Sequence, residues 1–353
     1  MRGLHAGPSW VGLLQVLSVA LAACDVPTEA PLIDSRWVLP SESTEIEVMD
    51  FLPEGVTLSP DGQAFLVTVT GRTQTTTLGE VCTECTQVNG LVVSKPAFVY
   101  DVESEASLPS DISDAVMTSG ELVVFVRNGF NFDVLRPGSV AGTIDIEVHT
   151  LDGVRVGSST ISGATRSLPG QGGTLQETIT LSGATLDGLR ITAHLDSPEG
   201  NAALIDVAGV LDVQAQVRNV RATSAQADLS GETFDLEPTG LDVSDIEDAF
   251  VDRVQSGSAV IDVTNDLGVA TDLVVRIEGP TFEPIRKSVS VPATATSERT
   301  IDFTGEELRR FLGQPDVTFG GTGTVTTATP VEVTPGQIIG LDIVLDVTLR
   351  IGG

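Results

Sequence analysis

The sequence has 353 residues and a mass of 36.8 kDa, enough for about two domains with full hydrophobic cores. It carries 49 acidic and 19 basic residues and a formal charge of −30, which argues against nucleic acid or an anionic lipid surface as an electrostatic partner. Neither Lys95 nor Lys287, the lysines of the chain, follows a glycine, so the phosphate-binding loop of nucleotide hydrolases is absent from the sequence. Only 4% of the residues are aromatic, so Val, Ile, Leu and Ala must build the core, which favours strands.

Residues 1–23 have the pattern of an export signal. Arg2 supplies a short positive region, and the apolar stretch at 10–23 is too short to span a bilayer stably. The stretch ends in Leu21-Ala22-Ala23-Cys24, which resembles the lipobox of bacterial lipoproteins. The resemblance implies that the Cys24 thiol is diacylated, that the peptide before it is removed, and that the new amine is often acylated too. An ordinary secretory signal whose cleavage site precedes a cysteine is the alternative.

Residues 24–43 are interpreted as a tether between the lipid and the folded part. They contain several prolines and acids and show the period of neither a strand nor a helix, which fits an extended linker. Two or three acyl chains anchor a protein stably, because each buried methylene contributes about 0.8 kcal/mol. The sequence therefore predicts a protein held by acyl chains at a membrane of the bacterial cell envelope, with its domains outside the cytoplasm. The choice between inner and outer membrane stays open.

Cys82 and Cys85 form a close pair in the run VCTECTQ. In an exported protein such a pair is ordinarily a disulfide, and we predict one that staples a hairpin. Free thiols are an alternative, and a thioredoxin-like redox pair would need a helix start after a buried strand. Thr86 rather than His follows the pair, which excludes c-type haem attachment, and the sequence has no second pair for a four-cysteine zinc site.

After residue 43 the chain consists of short runs of alternating apolar and polar residues, separated by turn clusters rich in Gly and Pro. Examples of the runs are TEIEV at 44–48, FLVTVTG at 65–71 and GTIDIEVHT at 142–150. Period two with frequent turns predicts antiparallel sheets. We predict an all-β protein of two tandem duplicated antiparallel β-sandwich units, each with one short helix. The first unit is expected at 44–220 and the second at 221–353.

An internal repeat supports the duplication. Three blocks recur at one offset of 134 residues, namely YDVE at 100–103 as FDLE at 234–237, SDISDA at 110–115 as SDIEDA at 244–249, and VLDV at 210–213 as VLDV at 344–347. In the second copy, Ser244 and Glu247 have the spacing of a capping box before an apolar helical face. The second block therefore predicts a short helix in each copy.

Each predicted helix is followed by a strand that ends in an asparagine, Asn128 or Asn265, and later by an isolated proline, Pro169 or Pro292. This pattern resembles the late-embryogenesis-abundant type 2 family, a small β-sandwich also called the water-stress and hypersensitive-response domain. The resemblance covers roughly residues 119–217 and 256–351. A tubular lipid-binding fold with long curved strands and a capping helix is the rival. We expect both asparagines to bond the backbone of their own turns.

Residues with catalytic or metal-binding spacing are scarce. His149 and His194 lie in alternating strands with no partner at ligand spacing, so we expect both at a surface or rim. A Gly-x-Ser-x-Gly nucleophile elbow is absent from the sequence. Several acids recur between the copies, and we interpret them as outward strand residues and helix first-turn residues, with a repeated calcium site as the alternative. The recurring acids are Asp101, Glu103, Asp111, Asp114 and Asp212, repeated as Asp235, Glu237, Asp245, Asp248 and Asp346.

Three functions are compatible with these patterns. The favoured one is a lipid-anchored envelope protein that acts as a non-catalytic structural or interaction module with an envelope protein partner. The second is a carrier of an apolar ligand such as lipid in a sandwich or tubular groove, and it requires a continuous apolar cavity. The third is an enzyme without a recognisable motif. The sequence predicts no catalytic residue, no metal ligand and no cofactor.

Overall fold

A computed structural model describes residues 33–351 of the chain. The described residues are mostly antiparallel strand with a few short helices, which confirms the predicted all-β sandwich-like fold. The strands are β1 Ile33–Glu47, β2 Val56–Leu58, β3 Phe65–Val67, β4 Arg72–Thr77, β5 Val92–Lys95, β6 Phe98–Ala106, β7 Ile112–Asn128, β8 Thr143–Thr150, β9 Arg155–Ser162, β10 Gly173–Leu186, β11 Leu189–Ser197, β12 Gly200–Leu204, β13 Val210–Ala227, β14 Thr233–Gly240, β15 Val254–Asn265, β16 Ala270–Gly279, β17 Phe282–Val291, β18 Thr296–Thr304, β19 Thr318–Thr326, β20 Val331–Val333 and β21 Ile338–Ile351. The helices are α1 Leu78–Val81, α2 Thr83–Gln87, α3 Asp248–Val251 and α4 Gly305–Phe311, with a 3-10 turn at Val48–Phe51.

Unit one is built on two antiparallel sheets. The first has the order β10-β7-β13, with β4, β3 and β20 also paired along β13 and β2 paired with β3, and the second has the order β6-β11-β8-β9. The central strands bury alternate residues, as in β8, where Ile144, Ile146 and Val148 are buried. Their apolar side chains therefore form the core between the sheets, as period two predicts.

Unit two repeats this arrangement. Its sheets have the orders β1-β21-β15-β18 and β14-β19-β16-β17. Strands β14 to β19 take the places of β6 to β11, and β21 takes the place of β13. The two units thus have one common strand order, as the internal repeat predicts.

The tether predicted at 24–43 is too long, because residues 33–43 belong to β1. This strand pairs with β21 of unit two, with Ile33 opposite Ile351 and Glu47 opposite Ile338. It takes beside β21 the place that β4 takes beside β13. Pro40 is tolerated there because β1 is the outermost strand of its sheet, and the register shifts between Pro40 and Ser43.

The predicted unit boundary at 220/221 is also wrong. Strand β13 continues through that position to Ala227, and unit two begins with β14 at Thr233. The N-terminal strand β1 belongs to unit two as well. The two units are therefore not consecutive along the chain, since unit two takes its outer strand from the segment that precedes unit one.

The helix predicted at the second repeat block is absent from unit one. Ile112, Ala115 and Met117 are instead buried residues of β7, which lies between β10 and β13. At this block in unit two only the single turn α3 is helical, and its N-cap is Glu247 rather than Ser244, without a side-chain cap bond. A capping box and an apolar stripe are local signals, and pairing with two neighbouring strands overrides them.

The third repeat block is out of structural register. Asn128 lies opposite Leu211 in unit one, whereas Asn265 lies opposite Ile339 in unit two. Residues 344–347 are therefore displaced along their strand by six positions from the counterpart of 210–213. Successive side chains of a strand point to opposite faces of the sheet, so a displacement by six positions, an even number, leaves the matching residues of the two blocks on the same face.

In space, the two units lie end to end, with the end of β13 in unit one beside β20 of unit two. β13 starts beside Asn128 and ends at Ala227, where residues Ala225–Ala227 pair with β20. β21 follows β20 closely, starts beside Asn265, and ends at Ile351 opposite Ile33. The Asn128 end of unit one and the Ile33 end of unit two are therefore the two ends of the molecule. Among the described residues, no helix has the length and apolar character needed to cross a membrane.

Candidate interaction surface

Unit one carries a two-stranded ribbon that has no counterpart in the described part of unit two. β5 and β12 pair antiparallel, with Val92 opposite Leu204. The ribbon continues to its end through hydrogen bonds from Gly90 N to Ile205 O (2.8 Å) and from Ile205 N to Leu91 O (3.0 Å). This segment is thus an ordered hydrogen-bonded element rather than a loop.

The end of the ribbon is apolar and open to solvent. Leu91, Val92 and Leu204 are 53%, 70% and 45% exposed. Single exposed apolar residues are common on protein surfaces, but these three are joined by chain adjacency and cross-strand pairing. We call Leu91, Val92 and Leu204 the ribbon tip. A clustered apolar surface on a strongly acidic chain is the kind of feature that marks a protein contact.

A fully buried lysine fixes the base of the ribbon. Lys95 Nζ donates hydrogen bonds to Ser197 O (2.8 Å), Ser197 Oγ (2.7 Å) and Pro198 O (2.6 Å). The ammonium group also lies 4.4 Å from the centre of the Phe98 ring. The sequence offered no signal for this contact, because the acceptors lie about 100 residues away in the chain.

The Lys95 and Ser197 pair resembles an activated nucleophile in distance only. Burial lowers the pKa of Lys95 to about 7, and the charge of Asp196 opposes this shift. However, Ser197 Oγ donates its own hydrogen bond to Val134 O at 2.7 Å, and neither Lys95 nor Ser197 has any exposed surface. The pair therefore holds β5 against the end of β11, and a substrate cannot reach the hydroxyl.

The disulfide predicted between Cys82 and Cys85 is present, but it links α1 to α2 and does not staple a hairpin. Cys82 is the N-cap of α2, and its Sγ accepts a hydrogen bond from Cys85 N at 3.1 Å. Both cysteines are buried. The pair therefore does stand at a helix start, as a redox pair would, yet its burial leaves no accessible sulfur.

The two helices joined by the disulfide, α1 and α2 at 78–87, form what we call the disulfide segment, which leads directly into the ribbon. Val88 N bonds Cys85 O at 3.2 Å, and Leu91 N bonds Val88 O at 3.1 Å. On the other side, Gly79 N bonds Val207 O at 3.0 Å, just after β12. The ribbon tip is thus supported by the disulfide segment on one side and by Lys95 at its base.

The interior of unit one holds two small cavities that bear on the carrier alternative. Their volumes are about 30 and 20 Å³. Each would hold about one water molecule, far less than an acyl chain needs. Both are lined mainly by apolar side chains, and they share Val102, Val124, Ile146, Ala193 and Val213. These cavities do not amount to the continuous apolar cavity that a carrier requires.

The outer face of the β6-β11-β8 sheet is acidic around His194. Asp101 and Asp145 lie opposite His194 on its two neighbouring strands. His194 Nδ1 is 2.6 Å from Asp101 Oδ1, and this hydrogen bond, with the charges of Asp101 and Asp145, raises the pKa of His194. His149 is half-buried, 3.8 Å from Glu147. Both histidines therefore lie on the sheet surface, as expected.

The corresponding face of unit two has a different charge pattern. Arg276 lies opposite Arg286 on one side and opposite Gly320 on the other, in an open depression of about 550 Å³. Arg276 is paired with Glu278. The recurring acids Asp235 and Glu237 line the same depression. Because Arg276 and Arg286 lie beside the recurring acids in unit two, the two faces differ in charge and do not form a repeated binding site.

The recurring acids have separate structural partners where contacts are seen. Asp212 accepts a hydrogen bond from Thr75 Oγ1 at 2.9 Å, and Asp346 is paired with Arg36 at 2.5 Å. Within residues 33–351, no three His, Cys, Asp or Glu side chains are grouped in a way that could hold a metal ion. The calcium alternative thus finds no support in this part of the chain. Cys24, the predicted lipidation site, lies outside the described residues.

Comparisons with known proteins do not identify a family. No family model matches the chain, and no curated protein matches it. The resemblance to the late-embryogenesis-abundant type 2 family is therefore not confirmed.

Solved structures with some likeness are distant. A "putative secreted protein" of Parabacteroides distasonis ATCC 8503 aligns with 9% identity over 89% of this chain and 99% of its own, with a TM-score of 0.33. The tandem CBM22-1-CBM22-2 domain of Paenibacillus barcinonensis Xyn10C aligns with 10% identity over 78% of this chain and 98% of its own, with a TM-score of 0.19. At these scores neither likeness carries an argument about function.

Proposed function

We propose that the protein is a lipid-anchored component of the bacterial cell envelope that acts as a non-catalytic interaction module. The proposed anchor is Cys24, at the end of Leu21-Ala22-Ala23-Cys24. Acylation of this residue would hold the protein at a membrane, with both β units outside the cytoplasm. The anchor rests on the lipobox resemblance, and the interaction role rests on the ribbon tip.

The ribbon tip is the observation that carries the interaction role. Leu91, Val92 and Leu204 are held in place by the disulfide segment and by the hydrogen bonds of Lys95. A rigid apolar surface binds a partner with little loss of conformational entropy. The ribbon also lies at the Asn128 end of the molecule, away from Ile33, the described residue nearest in sequence to the anchor.

The proposed partner is another envelope protein with an apolar contact surface. With a formal charge of −30, this chain disfavours acidic partners. Contacts made by Leu91, Val92 and Leu204 do not depend on charge, so the complex is expected to persist at high salt. A complex that dissociates as salt is added would indicate instead that charged loops recognise a basic partner.

The interaction role is tested by pull-down from detergent-solubilised membranes at low and high salt, with mass spectrometry of proteins and lipids. The variant Val92→Asp/Leu204→Asp places charges in the ribbon tip, and Val274→Asp is a matched control at an exposed apolar residue of unit two. We expect the wild type and the control to capture the same stoichiometric protein, and the ribbon variant to lose it. Capture by all three proteins would contradict the role of the ribbon. A stoichiometric lipid in the soluble Cys24→Ala form would favour the carrier.

The anchor is tested separately by the Cys24→Ala variant. We expect it to leave the membrane fraction and to lose labelling by a fatty-acid analogue, because the thiol that carries the acyl chains is gone. Labelling that persists in the variant would overturn the assignment of Cys24.

A further inference from the structure

The position of β1 decides which end of the molecule is near the anchor. Residues 25–32 separate Cys24 from Ile33, and a chain of that length spans at most about 30 Å. Ile33 lies opposite Ile351, at the far end of unit two from the junction with unit one. An anchor at Cys24 therefore keeps that end of unit two close to the bilayer.

This end of unit two has exposed apolar and aromatic side chains. Ile33 and Val38 are 57% and 56% exposed. The Trp37 ring packs on the ring of Phe250 in α3, with centroids 4.9 Å apart, and Trp37 is still 38% exposed. Tryptophan is enriched at the level of lipid headgroups, because its ring is apolar and its N–H is polar. The chemistry of this surface suits a membrane–water interface.

We propose that this end, which we define by Ile33, Trp37, Val38 and Phe250 and call the anchor end, lies against the phospholipid bilayer. Unit two is then the membrane-proximal unit, and the ribbon tip of unit one points away from the membrane. The inference rests on the proposed lipid anchor at Cys24. It adds an orientation and a lipid contact that lipidation alone does not specify.

Two acids on the strands of the anchor end are paired with arginines. Arg36 pairs with Asp346 at 2.5 Å, and Arg350 pairs with Asp34 at 3.2 Å. Glu247, Asp248 and Asp252 are exposed acids beside Phe250, so a zwitterionic lipid surface suits this end better than an anionic one. The side chain of Arg36 is 71% exposed, so its guanidinium can also reach a phosphate group.

Tryptophan fluorescence can serve as an intrinsic probe of this contact. The chain has two tryptophans, Trp10 and Trp37, and removal of the signal at Cys24 leaves only Trp37. The mature lipoprotein is reconstituted into phosphatidylcholine vesicles with and without bromine on the acyl chains, because bromine quenches tryptophan only at short range. We expect a loss of Trp37 emission in the brominated vesicles.

A second variant moves the probe to the other end of the molecule. Trp37→Phe combined with Val92→Trp keeps an aromatic ring beside Phe250 and places the single tryptophan at the exposed ribbon tip. We expect its emission to be the same in both kinds of vesicle. Unquenched Trp37, or equal quenching at both positions, in protein that co-floats with the vesicles overturns the orientation alone. Protein that fails to co-float overturns the lipid anchor, and the orientation with it.

Discussion

The buried side chain of Asn128 donates a hydrogen bond to the carbonyl oxygen of Pro169 at 3.1 Å, and Asn265 donates to Pro292 at 3.2 Å. Each asparagine also bonds its own turn, as expected, since Asn128 donates to Phe132 O at 2.8 Å. In unit one the side-chain amide of Asn128 thus joins the turn that follows its strand to a loop about 40 residues later in the chain. In unit two the amide of Asn265 makes the same connection to a loop about 27 residues later. These two contacts are structural and occur at the same place in both copies; because the acceptor is a main-chain carbonyl, they account for the recurring asparagines and not for the proline rings.

Asn128→Leu should destabilise unit one. The substitution removes the donor to the buried carbonyl of Phe132 and the acceptor of Phe130 N, and both groups stay inside the protein without a partner, whereas Leu168 O keeps its hydrogen bond from Val134 N at 3.4 Å. Buried polar groups without partners cost about 1 to 3 kcal/mol each, so we expect a loss of about 3 kcal/mol, measured by urea unfolding. Asn201→Ala, at an exposed asparagine of β12, is the control, and an equal effect of both substitutions would contradict the prediction.

Lys95 should make stability depend on pH in a known direction. Burial lowers its pKa from the ordinary 10.5 to about 7. Between these two values the unfolded chain binds a proton that the folded protein does not bind, so the free energy of unfolding rises with pH, by up to about 1.4 kcal/mol per pH unit. Lys95→Met should lack this rise. Urea unfolding of both proteins from about pH 6 to about pH 10 measures the difference, and parallel curves would speak against it.

Removal of the disulfide should loosen the ribbon locally. The bond between Cys82 and Cys85 closes a very short loop, so replacing both residues by alanine should cost about 2 kcal/mol. Hydrogen exchange at residues 88–91 should become faster, because these amides follow α2 directly. Exchange in unit two serves as the internal control. Unchanged exchange at 88–91 would show that Lys95 alone supports the ribbon.

Deletion of residues 33–39 should affect unit two and spare unit one. These residues pair with Leu345–Ile351 of β21, so their loss exposes the backbone of that strand. In the Cys24→Ala form, hydrogen exchange should become faster in β21 and α3 but not in β13. Faster exchange in β13 instead would contradict the assignment of β1 to unit two.

The pKa of His194 should lie above its ordinary value. Its hydrogen bond to Asp101 raises its pKa above 6.5 and thereby favours the folded state at low pH, an effect that is lost as pH rises through the raised value. A chain that starts at Cys24 lacks His5 and therefore has two histidine signals in an NMR titration. Asp101→Asn should move the pKa of His194 back towards 6.5. An unmoved titration would rule out Asp101 as the cause.

The strands and turns of this protein follow from local sequence patterns. Period two along runs such as 142–150 depends only on which face of a strand is buried, so the all-β class is readable without any knowledge of partners. The recurring Asn and Pro positions are also local signals, and Asn128 and Asn265 do bond their turns. The lipobox predicted at 21–24 is a linear motif, so its prediction does not involve the fold.

Only the tertiary structure decided how those strands are assigned to neighbours. β1 pairs with β21, 318 residues away at its first position, and no local pattern records which sheet edge is free to accept it. Residues 112–128 became a strand because two neighbours satisfy their backbone, although their local signals favour a helix at the start. Lys95 is buried because Ser197 and Pro198 supply its acceptors from about 100 residues away. Period two specifies faces, whereas pairing, burial of a charge and the ends of the molecule depend on contacts between segments distant in the chain.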